Sequence, residues 1–292
     1  MNARAGTAAQ PGGVAQIDGH TEVIAHLGWP THSFKAPLIY NPYFAARGIN
    51  AVVVPMGCKA QNFGPVLRAV FALENVRGAL VTMPHKVTVV DLLDQVTPAV
   101  RVAGACNAVR RAADGRLQGD MFDGEGFVRG LLRKGVTVQG ASALVVGCGG
   151  VGSAIAASLA GARVSTLRLF DVAAGSMEGL AQRLRQHHPG LRVQTGSNDP
   201  AGMDIVVNAT PLGMDAGDPL PIDMDRLAPS SFVGEVVMKK QMTAFLTAAQ
   251  QRGCGVQVGT DMLFEMIPAY LEFFGYPTAD AQELRELARL PD

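Results

Sequence analysis

A two-part α/β fold is predicted by three features of this sequence. Its 292 residues exceed a typical single domain and suffice for a substantial core. Short β-type runs alternate with helical stretches up to about Arg110. A second alternating series follows Gly124 and opens on a glycine-rich turn. The first half is expected to be an α/β layer on a mainly parallel sheet and the second a doubly wound sheet, with a cleft between them.

The elements follow in order. The first 18 residues, beginning MNARAGTAAQPGG, lack the apolar core of a secretory signal and read as a disordered tail. Val23-Ile24-Ala25, Ala51-Val52-Val53-Val54 and Gly78-Ala79-Leu80-Val81 have strand character, and Gly64 to Leu73 and Thr88 to Leu93 have helical character. The amphipathic stretch Gly124 to Lys134 marks the boundary, giving a first domain of residues 19–123 and a second of 124–260. There Ala143-Leu144-Val145-Val146 leads through the glycine-rich turn into an Ala-rich helix, Gly152 to Gly161, and then into a strand, Thr166 to Phe170. Ile205-Val206-Val207, Ser231-Phe232-Val233 and Gly255-Val256-Gln257-Val258 continue the cadence. Residues 261–292 supply two last helices, Asp261 to Phe274 and Asp280 to Arg289. Met262, Met266, Ala269 and Phe273 recur there at helical spacing and can pack back across the cleft.

Composition narrows the function. At 17% charged and 48% hydrophobic residues the chain is globular, and 25 basic residues balance 25 acidic ones. There is no overall field to hold a polyanion or an anionic membrane, so the expected partner is a small molecule rather than nucleic acid or membrane, with the chain a monomer or homodimer. Four cysteines (Cys58, Cys106, Cys148, Cys254) lack C-x-x-C spacing. This argues against a disulfide framework or a thiolate metal site and fits a reducing, cytoplasmic setting with no metal. No run reaches the roughly 18 apolar residues of a membrane span.

Leu144-Val145-Val146-Gly147-Cys148-Gly149-Gly150-Val151-Gly152 runs a strand straight into G-x-G-G-x-G and then a helix. Gly147 allows the tight turn, Gly149 lets backbone approach a pyrophosphate, and Gly152 lets the helix pack on the sheet with its N-terminus facing phosphate charge. Cys148, Gly150 and Val151 complete this loop, which reads as the NAD(P) site of a Rossmann-type dinucleotide-binding domain. About twenty residues on, the strand Leu167-Arg168-Leu169-Phe170 ends at Asp171. Its carboxylate would accept hydrogen bonds from the adenosine ribose hydroxyls and repel a 2′-phosphate. No Arg directly follows, so NAD is favoured and NADP remains the alternative. The other reading of Asp171 is a cap on the next helix.

Five further segments carry a resemblance. They are Val81-Thr82-Met83-Pro84-His85-Lys86, Gly104-Ala105-Cys106-Asn107-Ala108-Val109, Gly119-Asp120-Met121-Phe122-Asp123-Gly124-Glu125-Gly126, Asn208-Ala209-Thr210-Pro211-Leu212-Gly213-Met214 and Gly259-Thr260-Asp261-Met262-Leu263. In this order they resemble motifs of the shikimate dehydrogenase family, across roughly Gly28 to Gly275. The resemblance implies reversible hydride transfer between a ring secondary alcohol (shikimate, quinate or an analogue) and the nicotinamide. It implies that Lys86 is the acid–base residue and that Asp123 holds both Lys86 and the reacting hydroxyl. Thr82 and Asn107 match positions that hydrogen-bond the substrate ring hydroxyls. Asn208, Ala209, Thr210, Gly213, Val236 and Gly259 fall on the cofactor side. A lysine acting as base near neutrality needs its proton affinity lowered, typically by burial, although a nearby carboxylate pulls the other way.

The pattern departs on the substrate side. The family holds a substrate carboxylate with two serines in G-x-P-I-x-H-S-x-S-P, and Gly28-Trp29-Pro30-Thr31-His32-Ser33-Phe34-Lys35-Ala36-Pro37 has the same length. Gapless alignment puts Phe34 and Ala36 at the serines; sliding by one pairs His32-Ser33 with His-Ser but still leaves the second serine missing. Leu80 replaces the Asn before V-T, Met238 stands where a Tyr is usual, and Met266 replaces a substrate-binding Gln. A more apolar pocket should alter which substrate fits, with Lys35 or His32 left to pair with an anion. Two other readings stay open: a biosynthetic NADP-dependent shikimate dehydrogenase that tolerates these changes, and a dinucleotide-responsive regulatory protein without turnover. Retention of Lys86 and Asp123 argues against the second.

Overall fold

The computed structural model describes residues 17–290, so all but the last two residues of the expected N-terminal tail lie outside the described residues. Of those two, Asp18 is pinned, because Asn50 Nδ2 donates to its Oδ1 at 3.0 Å.

The first half contains β1 (Glu22–Gly28), α1 (Pro37–Arg47), β2 (Ala51–Gly57), α2 (Phe63–Phe71), β3 (Val76–Val81), β4 (Gln95–Val96), α3 (Pro98–Ala103), β5 (Ala108–Arg111) and β6 (Leu117–Asp120). Its sheet runs β2-β1-β3-β5-β6-β4. Strand β1 pairs parallel with β2 and β3. From Ile24 to Gly28 it is buried without alternation, as a strand covered on both faces must be. The expectation of a mainly parallel sheet needs one correction: β5 pairs antiparallel with both β3 and β6. That hairpin escaped the sequence reading because its strands are four residues long and carry Arg110 and Arg111. A second correction concerns Thr88 to Leu93. The β-branched run of Thr88, Val89 and Val90 forms only a 3-10 turn, Thr88–Leu92, since such side chains are restricted at χ1 in a helix.

Helix α4 (Asp123–Arg133) leads to the second half: β7 (Ser142–Val146), α5 (Gly150–Gly161), β8 (Thr166–Phe170), α6 (Ala174–His187), β9 (Arg192–Thr195), β10 (Ile205–Asn208), β11 (Phe232–Glu235), α7 (Ala244–Gln251), β12 (Gly255–Gln257), α8 (Gly259–Phe274) and α9 (Ala281–Leu287). Every pairing in this sheet is parallel, in the order β12-β11-β10-β7-β8-β9. The order reverses between β10 and β7, and open sheets of this kind bind ligands outside the strand C-termini at that point.

Helices α4 and α8 and the side chain of Arg183 join the halves. Met262 of α8 belongs to the core of the second half, whereas Leu263, Ile267 and Tyr270 belong to that of the first. Arg183 of α6 donates to the carbonyls of Val102 (2.9 Å) and Ala103 (3.0 Å), closing the C-terminus of α3. Helix α4 is wedged between α5 and α8 with no room for side chains at its glycines. A Cβ on Gly124 would fall 2.0 Å from the Ala154 carbonyl oxygen, and one on Gly126 would fall 2.6 Å from that of Met262. Its far end is fastened electrostatically: Arg133 reaches Glu265 at 2.7 Å and Lys134 reaches Asp261 at 3.1 Å, while Arg285 of α9 bridges to Asp261 at 3.1 Å.

The glycine contacts are testable. Gly124→Ala and Gly126→Val must displace backbone, and each is expected to lower the unfolding free energy by ~1–3 kcal/mol, the usual cost of overpacking. Gly161→Ala, whose Cβ would meet nothing within 4 Å, should not lower it. Urea denaturation of the three variants checks this.

Candidate active site

The chain leaves β3 at Val81 and stays tied to its neighbours: Thr82 N donates to Leu27 O (2.9 Å) and Trp29 N to Met83 O (2.9 Å). His85 is buried, stacked on Phe63 at 3.9 Å, with Nε2 2.7 Å from Cys58 O. Cys106 N donates to Lys86 O at 2.7 Å, which sets the lysine beside the segment before β5. On that segment the Asn107 amide bonds within the chain, its Nδ2 donating to Asp123 Oδ1 at 2.8 Å and its Oδ1 accepting from Phe122 N at 3.0 Å, which leaves a second N–H free to donate. The Lys86 ammonium donates to Asp123 Oδ2. The side chains of Lys86 and Asp123 are 13% and 2% exposed, so the pair is largely withdrawn from water. Breaking one partner of such a pair strands the other charge. Asp123 is also the first residue of α4, where the helix dipole favours a carboxylate.

The glycine-rich loop meets this pair. A Cβ on Gly150 would lie 3.3 Å from Lys86 Cβ, so the loop backbone and the lysine stem are close neighbours. Gly147 has φ of +99°, in the region that favours glycine. A Cβ on Gly152 would lie 1.9 Å from Gly147 O, whereas Gly149, at the N-cap of α5, faces open space. These features fit a dinucleotide pyrophosphate against the helix N-terminus. Cys148 and Val151 face the core of the second half, and burial, then Asp171, push the Cys148 thiol up to about 12. Asp171 is bound within the chain. Its Oδ2 accepts from Cys148 N at 2.6 Å and its Oδ1 from Ala173 N at 2.8 Å, so the carboxylate braces the glycine loop and also bonds the turn entering α6.

The other expected cofactor residues lie at the same sheet edge. Ala209 N donates to Val146 O (2.7 Å) and Val236 N to Asn208 O (3.2 Å). Asn208 folds its own loop, accepting from Thr210 N (3.1 Å) and Thr210 Oγ1 (2.6 Å) and donating to Leu212 O (2.9 Å). Gly213 has φ of +100°, and a Cβ on Gly259 would sit 2.3 Å from Val237 O. Beneath them Glu235 is fully buried, with Thr243 Oγ1 donating to Oε2 at 2.9 Å. Its Oε1 has no hydrogen-bond partner among the described residues. Burial raises its carboxyl to about 7, against the opposing pull of Thr243 and Asn208.

Of the residues expected on the substrate side, Ala36 and Leu80 are buried, and half-buried Met238 and Met266 pack on the same apolar cluster. The Thr82 methyl is turned towards Gly28, where a Cβ would meet it at 2.4 Å. Lys35 Nζ donates to Met238 O at 2.8 Å, across the two halves, and His32 is exposed. Phe34 stacks at 4.0 Å on His26, a residue the sequence reading passed over. A histidine inside the apolar run Ile24 to Leu27 was the available signal.

With this geometry in place, comparison with known proteins is specific. Residues 27–109 match the family described as shikimate dehydrogenase substrate binding domain. The shikimate dehydrogenase (NADP(+)) of Rubrobacter xylanophilus is 39% identical over 256 residues, covering 86% of this chain and 89% of that protein. Among solved structures, shikimate 5-dehydrogenase of Listeria monocytogenes in complex with shikimate and NAD is 27% identical with a TM-score of 0.86, covering 93% of this chain and 98% of that one. The 5-ketofructose reductase of a Gluconobacter strain is 25% identical with a TM-score of 0.81, covering 91% and 97%.

Glu235 gives a pH prediction. Between its ordinary value of 4.5 and about 7, the folded state keeps a proton that the unfolded chain releases. The associated stability is therefore present below 4.5 and lost as pH rises towards 7. Relative to Glu235→Gln, the wild type is expected to lose Tm between those limits; a Tm difference that stays constant across them would refute this.

Proposed function

The chain belongs to the shikimate dehydrogenase family and is an NAD(P)-dependent dehydrogenase of that type, and we propose that it interconverts a ring secondary alcohol and a ketone with Lys86 and Asp123 as its acid–base pair. The observation that supports this reading is the approach of the glycine-rich loop to the lysine stem at Gly150, where a Cβ would lie 3.3 Å from Lys86 Cβ, which brings the loop beside the largely buried Lys86–Asp123 pair. Residues 19–123 would hold the substrate, 124–260 the cofactor, and 261–292 would return to the first domain.

In the direction of oxidation, neutral Lys86 takes the hydroxyl proton; in reduction, the ammonium returns it to the carbonyl oxygen. Asp123 holds the ammonium on one oxygen while Asn107 fixes the other, so the lysine is aimed before substrate arrives. Bound nicotinamide supplies or accepts the hydride. Thr82 offers a further hydroxyl on the substrate side. Gly147, Gly149, Gly150 and Gly152 would seat the pyrophosphate, with Asn208, Ala209, Thr210, Gly213, Val236 and Gly259 around the nicotinamide end.

NAD is the preferred cofactor in this reading. Asp171 places a carboxylate at the end of β8, and the residues after it, Val172, Ala173 and Ala174, carry no cation to hold a 2′-phosphate. Both Asp171 oxygens keep lone pairs beyond their backbone bonds, so ribose recognition and bracing are compatible. The substrate is a shikimate- or quinate-like molecule or an analogue with altered polar groups, since Phe34, Ala36, Leu80, Met238 and Met266 offer no side-chain hydrogen-bond donor. Four buried free thiols fit a reducing cytoplasm. Among the described residues no helix is long and apolar enough to cross a membrane.

Absorbance of the reduced nicotinamide, followed with shikimate and quinate and with either cofactor, tests the reading. Lys86→Ala is expected to lower the rate by about 10² or more, the usual contribution of a general acid–base group. Turnover that persists in the variant would exclude Lys86 as that group. Asp171→Ser combined with Val172→Arg should move the kcat/KM ratio towards NADP by about tenfold, equivalent to ~1.4 kcal/mol; an unchanged ratio would remove Asp171 from cofactor selection.

A further inference from the structure

One buried polar side chain beside the cleft has no role in the chemistry above. His26 lies in β1, 8% exposed, in register with Pro55 of β2 and Leu80 of β3. Side chains alternate along a strand, so His26 shares a face with Ile24 and Gly28, the latter packed against Thr82 and Phe34. The imidazole stacks on Phe34 with its plane tilted 26°, directly behind a position where the family carries a serine. Its Nδ1 is buried and has no hydrogen-bond partner among the described residues. Unpaired buried nitrogens are costly and uncommon, and one behind a ligand cleft is best explained by a partner that arrives with the ligand.

The charge state defines what that partner can be. Burial, and then the positive charge of Lys86, hold the His26 pKa down at about 3, so the ring is neutral across the physiological range. A neutral imidazole donates from one nitrogen and accepts on the other, which suits a hydroxyl or carbonyl and gives a carboxylate no counter-charge. The surroundings agree. Lys86 is paired with Asp123, one donor of Lys35 is taken by the Met238 carbonyl, and at least one of the two serines of the family pattern is missing, with Phe34 and Ala36 at those places in the gapless register. Tyr40, in the same cluster as Ala36, adds a second buried polar group, a hydroxyl, without a partner among the described residues.

We propose that His26 is a specificity-determining contact of this site, hydrogen-bonding a neutral oxygen of the substrate, and that the preferred substrate is a polyhydroxylated alcohol or ketone with no carboxylate at that end. The inference rests on the dehydrogenase reading for the reaction, but recognition can be measured apart from turnover. Shikimate and its methyl ester differ in the charge at issue, and myo-inositol is an uncharged ring polyol without the group. The ester is expected to exceed the acid in kcat/KM by about tenfold. His26→Leu should raise KM for the ester by about tenfold, as loss of one neutral hydrogen bond implies, with little change in kcat. His26→Gln, which keeps a donor and an acceptor, should recover most of the loss. Calorimetric titration of all three ligands into the full chain reads binding without turnover. Preference for the acid, or a KM unmoved by His26→Leu, overturns the inference, and concurrent NAD reduction would leave the dehydrogenase reading standing. Ester binding that depends on His26 without any NAD reduction would uphold the inference and defeat that reading. Binding of neither uncharged polyol overturns it.

Discussion

Helix α4 has backbone pressed against it on two sides, and much of the site follows from that. Gly124 lies against α5 and Gly126 against α8, so the helix cannot shift towards either neighbour without collision. Asp123 begins this helix, and its carboxylate position is therefore set by packing of both halves of the chain rather than by its own loop. Asn107 and Lys86 then bond to an already fixed carboxylate. Precision of this kind matters because proton transfer needs the partners within hydrogen-bond reach in the reacting geometry.

The same packing bears on electrostatics. A buried ammonium–carboxylate pair recovers its desolvation cost only when the remaining lone pairs are also satisfied. Here Asn107 serves one oxygen of Asp123, Lys86 the other, and the helix N-terminus favours the charge. On the opposite rim the chemistry is different. Ala36, Leu80, Met238 and Met266 share an apolar cluster with Tyr40, while Phe34 stacks on His26, and these two polar groups are neutral or far from ionising.

Periodicity and turn residues made most of the fold legible. Strand β8 falls where Thr166 to Phe170 predicts it, and the glycine loop lies between strand and helix as its spacing requires. The hairpin of β5 and β6 was not legible, because a four-residue strand with two arginines has neither length nor alternation to mark it. The run Thr88 to Val90 misled because helical apolar spacing is outweighed by β-branching. In the site, residues embedded in motifs could be named individually, but their partners could not. Nothing in the spacing says that Lys35 reaches Met238, 203 positions away, or that Asp171 bonds the backbone of Cys148. Such contacts are set by how the halves meet, and a linear pattern carries no record of that.

The approach of Gly150 to Lys86 limits how freely the two halves can be exchanged between relatives. A dinucleotide half carrying a larger residue at that position would require the lysine stem to give by a few tenths of an ångström, because a Cβ there would lie 3.3 Å from Lys86 Cβ. The cofactor half is thus not a self-contained module, because one of its loop residues doubles as a wall of the neighbouring compartment. A change at position 150 would therefore be felt by Lys86 in the other half, across a boundary that the sequence itself does not mark.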